Sequence, residues 1–232
     1  MRSDGLTPAS AWDEMRAGNR RFVDGSPSHP RQDVERRTAL AHSQSPIAAL
    51  FGCSDSRLAA EIIFDKGIGD LFVVRNAGQV ISSSVIGSLE YAVGVLEVPL
   101  IVVLGHDGCG AVRAAIESVG PDARPLPPHI AALIAQIVPA IRRVAGAPHG
   151  VVDPGSIDSQ DVGREHLRDT IGELIASSEL IGAAVADGSL AIVGANYSLL
   201  EGRAEPDIVL GLASRPSADQ TTDTRLPTAT HP

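Results

Sequence analysis

The sequence predicts an α/β fold: a mostly parallel central β-sheet of four parallel strands plus an antiparallel edge strand, flanked by helices, with an N-terminal helical arm. The first observation is a set of short apolar runs that lack polar alternation, which is typical of parallel strands buried on both faces. The second is their regular alternation with helical segments, which predicts right-handed crossovers. The runs cover residues 47–52, 70–75, 99–105 and 190–195.

The helical arm is predicted over residues 8–24, because the larger side chains recur there at helical spacing. That stripe consists of Trp12, Met15, Asn19 and Phe22. It must be covered by another part of the protein. Further helices are expected at 58–65, 82–96, 109–119, 129–145 with a break near Pro139, 161–176 and 178–187.

Turn-forming residues predict loops at 120–128 and 146–160, and a turn after the fourth parallel strand leads to the antiparallel edge strand at 203–210. Residues 1–213 are expected to form a single domain, since 44% hydrophobic content is ample for one core. Residues 214–232 are rich in Ser, Thr, Asp and Pro and lack aromatic residues, which predicts a disordered tail.

Composition narrows the possible partners. The net charge of -9, from 28 acidic and 19 basic residues, argues against nucleic acid and anionic membranes, which select clustered positive charge. A small-molecule substrate is favoured instead. No run approaches the roughly 20 apolar residues of a membrane span, and the start lacks the apolar core of a secretory signal. A cytoplasmic location is therefore expected, where cysteines stay reduced.

The two cysteines of the chain, Cys53 and Cys109, each follow one of the predicted strands, and His106 precedes the second by three positions. The carboxyl ends of parallel strands share one edge, where α/β proteins bind ligands. Two thiolates, one imidazole and an open fourth position are typical of catalytic zinc. The alternative is a buried, inert cysteine and a structural histidine.

Alternation along an extended chain places Cys53, Asp55 and Arg57 on one side of the backbone. Three interpretations of the charged pair remain open. It is a surface ion pair of little energetic value, or Asp55 is a fourth metal ligand that closes the site. In the third, Arg57 holds Asp55 off the metal, and the carboxylate accepts a hydrogen bond from zinc-bound hydroxide.

The motif Cys-Ser-Asp-Ser-Arg at 53–57, followed by His-x-x-Cys-Gly at 106–110, resembles the β-class carbonic anhydrase family, and its bacterial members most. Residues 75–78 and 87–93 extend the resemblance. It implies one zinc ion per chain, bound by Cys53, His106 and Cys109, and a catalytic dyad of Asp55 and Arg57. The implied reaction is the reversible hydration of carbon dioxide to bicarbonate and a proton through zinc-bound hydroxide.

The resemblance also implies a substrate pocket and a homodimer or tetramer in which the N-terminal helix packs across a partner. The pocket residues are Gln44, Phe72, Ala77 and Tyr91, with Gly110 close to the metal. By themselves these are a surface turn residue and ordinary core residues. Leu50 stands where family members switched off by bicarbonate carry Trp, so this regulation is not expected here.

Two other functions are compatible with part of this pattern. The same scaffold and zinc shell would serve a hydrolase of carbonyl sulfide or carbon disulfide. A non-catalytic zinc or redox module would need only the ligands, and Asp55 and Arg57 argue against it because a closed structural site has no use for them.

Overall fold

The computed structural model describes residues 5–148 and 152–212. Its sheet has the strand order β2-β1-β3-β4-β5; the first four strands are parallel, and β5 runs antiparallel to β4 at the edge. The predicted fold class is therefore confirmed. The strands are β1 (Ala48–Cys53), β2 (Leu71–Asn76), β3 (Leu100–His106), β4 (Ala191–Tyr197) and β5 (Ala204–Leu210).

The helices follow the predicted order with two differences. They are α1 (Pro8–Val23), α2 (Val34–Ala39), α3 (Ala60–Ile63), α4 (Ser83–Gly94), α5 (Gly110–Ser118), α6 (Pro128–Ile134), α7 (Val138–Val144), α8 (Ser159–Ser177) and α9 (Glu179–Ala186). The predicted break near Pro139 separates α6 from α7, where proline occupies the first turn of α7 and its missing N–H is harmless. The differences are α2, which was not predicted, and α3, which is shorter than 58–65.

Successive residues of the central strands supply two hydrophobic clusters, one on each face of the sheet. Leu50 and Val102 belong to the cluster that α1, α5 and α7 cover, whereas Phe51 and Val103 belong to the cluster under α4, α8 and α9. Every residue of β1 and β3 is buried. The non-alternating apolar runs thus form strands buried on both faces, as predicted.

The stripe of the arm is covered by the same chain. Trp12, Met15 and Asn19 are buried, and the Asn19 amide donates to the carbonyl oxygens of Ile63 and Gly202 at 3.1 and 2.9 Å. At Gly18 the helix approaches α3 so closely that an added Cβ would lie 1.8 Å from the Phe64 carbonyl oxygen. Glycine is therefore required at this crossing.

Two buried aspartates fasten the chain that follows α1. The Asp65 carboxylate accepts hydrogen bonds from the Arg21 guanidinium and from backbone N–H groups at 28 and 29. Asp70 accepts from the Arg31 guanidinium at 2.8 and 2.6 Å. We call Arg21, Arg31, Asp65 and Asp70 the arm anchor, because they tie the segment after the arm to the loop before β2.

Two of the predictions fall on residues that the structure does not describe. The predicted tail, 214–232, lies wholly outside them. The predicted loop 146–160 lies partly outside, and its described part contains a short 3-10 turn at Pro154–Ser156 before α8 begins at Ser159. Within 5–148 and 152–212, none of the helices has the length and apolar character that crossing a bilayer requires.

Candidate metal centre

Three side chains with metal-binding atoms meet at the carboxyl edge of the sheet. Cys53 ends β1, His106 ends β3, and Cys109 caps the start of α5. All three are buried, and their ligand atoms lie within 4.8 Å of one another. The parallel register that pairs Gly52 with Leu104 brings the two strand ends together, so the predicted ligands converge although more than fifty residues separate Cys53 from the other two.

The tautomer of His106 suits a metal ligand. Its Nδ1 lies 2.8 Å from the carbonyl oxygen of Asp107, which can only accept a hydrogen bond, so Nδ1 carries the proton. Its Nε2 is buried and has no hydrogen-bond partner. Metal-binding histidines characteristically donate a hydrogen bond from one ring nitrogen, which fixes the ring and leaves the other nitrogen free to bind the metal.

The two cysteine side chains influence each other's pKa. The Cys109 thiol donates a hydrogen bond to Cys53, which lowers the pKa of Cys53 to about 4 against the opposing effect of burial. The same bond, together with burial, raises the pKa of Cys109. The Gly78 N–H adds a further hydrogen bond to Cys53 Sγ at 3.3 Å. Because a metal ion binds thiolates, cation binding would release the Cys109 proton.

These donors fit zinc. Two cysteine sulfurs and one imidazole nitrogen match its preference for soft and borderline ligands, and the Nε2 of His106 is buried without a hydrogen-bond partner. The group contains three residues, which is the number that catalytic zinc sites use when they keep one position open.

The Asp55 carboxylate is engaged by Arg57 and does not belong to this group of three. Arg57 donates from Nε and Nη2 to the two carboxylate oxygens at 2.8 and 2.6 Å, and its backbone N–H donates to Oδ1 at 3.0 Å. These bonds hold the pKa of Asp55 well below its usual range. The structure therefore contains the predicted Asp55–Arg57 ion pair, and the role of this pair at a metal stays a prediction.

Beside this pair, Arg75 binds the backbone in a way that the sequence did not predict. Arg75 donates from Nε to the Cys53 carbonyl oxygen at 2.9 Å and from Nη2 to the Asp55 carbonyl oxygen at 2.6 Å. One guanidinium thus fixes the chain that carries both the ligand and the carboxylate. The available sequence signal for this role was that Arg75 belongs to the motif at 75–78. The structure pairs Arg75 of β2 with Gly52 of β1, directly before Cys53.

Comparison with known proteins agrees with this geometry. A family model described as "Carbonic anhydrase" matches residues 48–204. The chain belongs to the β-class carbonic anhydrase family. "Carbonic anhydrase 2" of Mycobacterium tuberculosis is 48% identical over 197 residues, 85% of this chain and 91% of the relative. "Carbonic anhydrase" of Mycolicibacterium smegmatis is 45% identical over 198 residues, 85% of this chain and 92% of the relative.

Solved β-carbonic anhydrases share the fold. The Coccomyxa β-carbonic anhydrase in complex with acetazolamide aligns with a TM-score of 0.61 at 23% identity, covering 88% of this chain and 86% of that one. The b-carbonic anhydrase CafA of Aspergillus fumigatus aligns with a TM-score of 0.62 at 25% identity, covering 84% and 90%. The predicted family and fold are both confirmed.

Of the residues predicted to line a carbonic anhydrase substrate pocket, the structure places some beside the metal-binding group and others away from it. Ala77 directly follows the register partner of Cys53, and Gly110 directly follows Cys109; both are exposed beside the ligands. Phe72 instead pairs with Ala49, about 13 Å back along the strand from Cys53 at roughly 3.3 Å per residue.

The ring of Phe72 packs against Tyr91, with centroids 6.0 Å apart, and Tyr91 is 45% exposed. Gln44 lies exposed in the loop before β1. Their pocket roles therefore stay predictions.

Proposed function

We propose that this chain catalyses the reversible hydration of carbon dioxide to bicarbonate and a proton, with one zinc ion per chain held by Cys53, His106 and Cys109. The observation that carries the proposal is the buried group of His106, whose Nε2 has no hydrogen-bond partner, and two cysteine sulfurs, with ligand atoms within 4.8 Å of one another. Membership of the β-class carbonic anhydrase family supports it.

Zinc, when bound, supplies a Lewis acid that lowers the pKa of water from 15.7 to roughly 7, which makes hydroxide available near neutral pH. The two thiolates balance the formal charge of the cation, so we expect this acidification to be weaker than with three neutral imidazoles. The protein contributes a buried ligand set of fixed geometry, with the imidazole held by the Asp107 carbonyl group.

Asp55 and Arg57 are the proposed catalytic dyad. Because Arg57 donates three hydrogen bonds to it, the carboxylate stays ionised and can accept a hydrogen bond from the attacking oxygen, which orients that oxygen. Arg57 also donates to the Gly108 carbonyl oxygen at 3.4 Å. The guanidinium therefore joins the segment after β1 to the segment after β3, on either side of the proposed reaction site.

We propose that Ala77 and Gly110 bound the space for carbon dioxide, since neither carries a side chain large enough to fill it. For Gln44, Phe72 and Tyr91, a second copy of the chain is proposed to bring these residues to the pocket. The exposed Tyr91 and the edge position of β2 support a homodimer or a tetramer. The β-carbonic anhydrases of Sordaria macrospora, at 24% identity, are described as tetrameric.

The proposed enzyme is one domain, residues 1–213, in the cytoplasm. The family match over 48–204 and the burial of α1 against the same chain support the single domain. The free cysteines support a reducing compartment.

The test is stopped-flow carbon dioxide hydration combined with elemental analysis of the purified protein. We expect about one zinc per chain and activity that Cys53→Ser abolishes together with the metal. The control is Ser54→Ala, an exposed neighbour outside the ligand group, which should retain both. Full zinc content in Cys53→Ser would contradict the ligand assignment. Hydrolysis of carbonyl sulfide or carbon disulfide without carbon dioxide hydration would contradict the substrate.

A further inference from the structure

The turn after β2 places a backbone donor on the sulfur of Cys53. Gly78 has a φ of 78°, and its N–H donates to Cys53 Sγ at 3.3 Å. An added Cβ on Gly78 would lie 2.8 Å from the Ala111 side chain, so the turn is pressed against the start of α5. Glycine rotates freely about φ and ψ. The chain on both sides of Gly78 must therefore be held if the donor is to stay in place. On the side of β2, the Asn76 carbonyl oxygen accepts a hydrogen bond from the Ser54 N–H at 2.9 Å.

The buried face of α8 supports the other side of the turn. It consists of Val162, His166, Leu167, Thr170, Ile171 and Leu174. Its two polar members both reach the turn. His166 Nε2 lies 2.8 Å from the Gly78 carbonyl oxygen. The Thr170 hydroxyl lies 3.4 Å from the Gln79 carbonyl oxygen, but its one proton has a shorter acceptor in the His166 carbonyl oxygen, at 2.8 Å.

His166 acts here as a neutral donor. A carbonyl oxygen only accepts hydrogen bonds, so Nε2 carries the proton. Nδ1 is buried without a partner, and burial lowers the pKa of His166. An unsatisfied buried nitrogen costs stability, a cost that an apolar residue in this stripe would avoid. The hydrogen bond to Gly78 is the visible gain from histidine at this position.

We infer that His166 is a positioning residue for the metal centre: it holds the Gly78 carbonyl on one side of the turn while β2 holds Asn76 on the other, so that the intervening N–H of Gly78 stays against the Cys53 sulfur. The inference rests on the proposed role of Cys53 as a metal ligand. Hydrogen bonds from outside the ligand set orient ligands and tune the metal, and their loss typically lowers metal affinity by about 10- to 100-fold.

Two amide variants test the reach of this donor. In His166→Gln the side-chain amide nitrogen can occupy the place of Nε2, whereas in His166→Asn it reaches only as far as Nδ1. We expect His166→Gln to bind cobalt or zinc almost as tightly as the wild type, in competition with a chelator. We expect His166→Asn to lose about 10- to 100-fold in affinity and to shift the thiolate-to-cobalt charge-transfer band.

Leu174→Ala is the matched control, because it destabilises the same helix at a buried position whose side chain cannot form a hydrogen bond with the turn. It should lower the melting temperature and leave metal affinity and the cobalt band unchanged. Equal affinity and spectra for His166→Asn and the wild type would overturn the inference, as would an equal loss in Leu174→Ala. A wild type that binds neither metal would instead overturn the proposed function.

A measurement on the wild type covers the case in which His166→Asn does not fold. In the cadmium-substituted protein, NMR should detect coupling between the metal and the Gly78 amide proton through the N–H···S hydrogen bond. Absence of that coupling in a metal-loaded protein would also overturn the inference.

Discussion

Two aspartate–arginine pairs in this protein use the same side chains in opposite surroundings. At the metal centre, Arg57 is 54% exposed and binds an aspartate that is 16% exposed. In the arm anchor, the Asp65 side chain is 1% exposed, and backbone N–H groups join Arg21 in donating to it. The first pair orients a carboxylate at little cost to folding, since exposed pairs contribute little. The second buries a charge that only its full set of partners stabilises.

Removing Arg57 should separate turnover from stability most clearly. In Arg57→Ala, Asp55 loses the side-chain donors that hold its carboxylate and is free to swing onto the metal, closing the site. We expect a folded, zinc-loaded protein whose carbon dioxide hydration falls by about 100-fold or more. Stopped-flow kinetics, metal analysis and thermal unfolding check the three parts.

Arg57→Lys is the control, because it keeps the charge but loses the planar fork that binds both carboxylate oxygens. It should recover only part of the lost activity. Near-wild-type turnover in Arg57→Ala would remove the proposed role of this pair.

The converse experiment breaks the arm anchor. Asp65→Ala leaves the N–H groups at 28 and 29 and the Arg21 guanidinium without their acceptor, which we expect to lower the free energy of unfolding by about 3 kcal/mol. Protein that remains folded at low temperature should keep its zinc and its turnover. Denaturant titration and hydration assays at the same temperature measure the two effects. Lost activity in the folded fraction would show that the anchor also supports the site.

Alkaline conditions should affect turnover without breaking either pair. Generating hydroxide releases a proton, so hydration activity is expected to rise from about pH 6 to about pH 9. Leu50 is a buried core residue of β1, and no tryptophan stands at this position. We therefore expect a smooth rise, without steep inhibition by added bicarbonate. If hydration activity depends on pH with sharp cooperativity, and added bicarbonate increases the loss of activity at low pH, then Leu50 does not prevent this regulation.

Acid should affect the arm anchor. Burial alone would raise the pKa of Asp65, but hydrogen bonds from Ser28, Arg21 and His29 lower it well below its usual range. The unfolded state, with a pKa near 3.9, then binds more protons than the folded state as the pH falls. This contribution to stability is complete above about pH 5 and is lost progressively as the pH falls below that value. When unfolding free energies are measured from pH 3 to 7, the decrease in stability at low pH should be smaller in Asp65→Asn than in the wild type.

The smallest effect is expected from truncation after residue 213. The predicted tail lacks the apolar residues that could offset the entropy of ordering it. Melting temperature and hydration activity should both stay close to those of the full chain. A substantial loss of either would show that the tail contacts the body or a second subunit.

Local sequence patterns predicted the parts of the fold that burial dictates. The apolar runs that form β1 and β3 predicted central strands, because residues on both faces of such a strand must be covered by other elements. Helix α2 escaped prediction because none of its residues is buried, so it has no apolar periodicity. Its one local signal was Asp33, whose side chain caps the first turn at 2.7 Å. Helix α3 is shorter than predicted because it starts only after the turn at 55–58 and Asp65, with a φ of 45°, leaves helical geometry.

At the metal centre, too, some residues could be predicted from the sequence and one could not. Cys53, Asp55, His106 and Cys109 lie in short motifs at predicted strand ends, and topology alone brings them together. His166 lies 88 residues from Gly78 and resembles any buried histidine in a helix. Its contact with the turn depends on how α8 crosses the sheet, which no local pattern specifies.

The separation of the ligands along the chain has a consequence for the order of events during synthesis. Cys53 leaves the ribosome 53 residues ahead of His106, a delay of several seconds at about 5 to 20 residues per second. Its partners do not exist during that interval, and they meet it only after β3 has docked alongside β1. A zinc ion bound at the proposed site would therefore report that β1 and β3 have paired, and a nascent chain interrupted before Cys109 has no complete site to load.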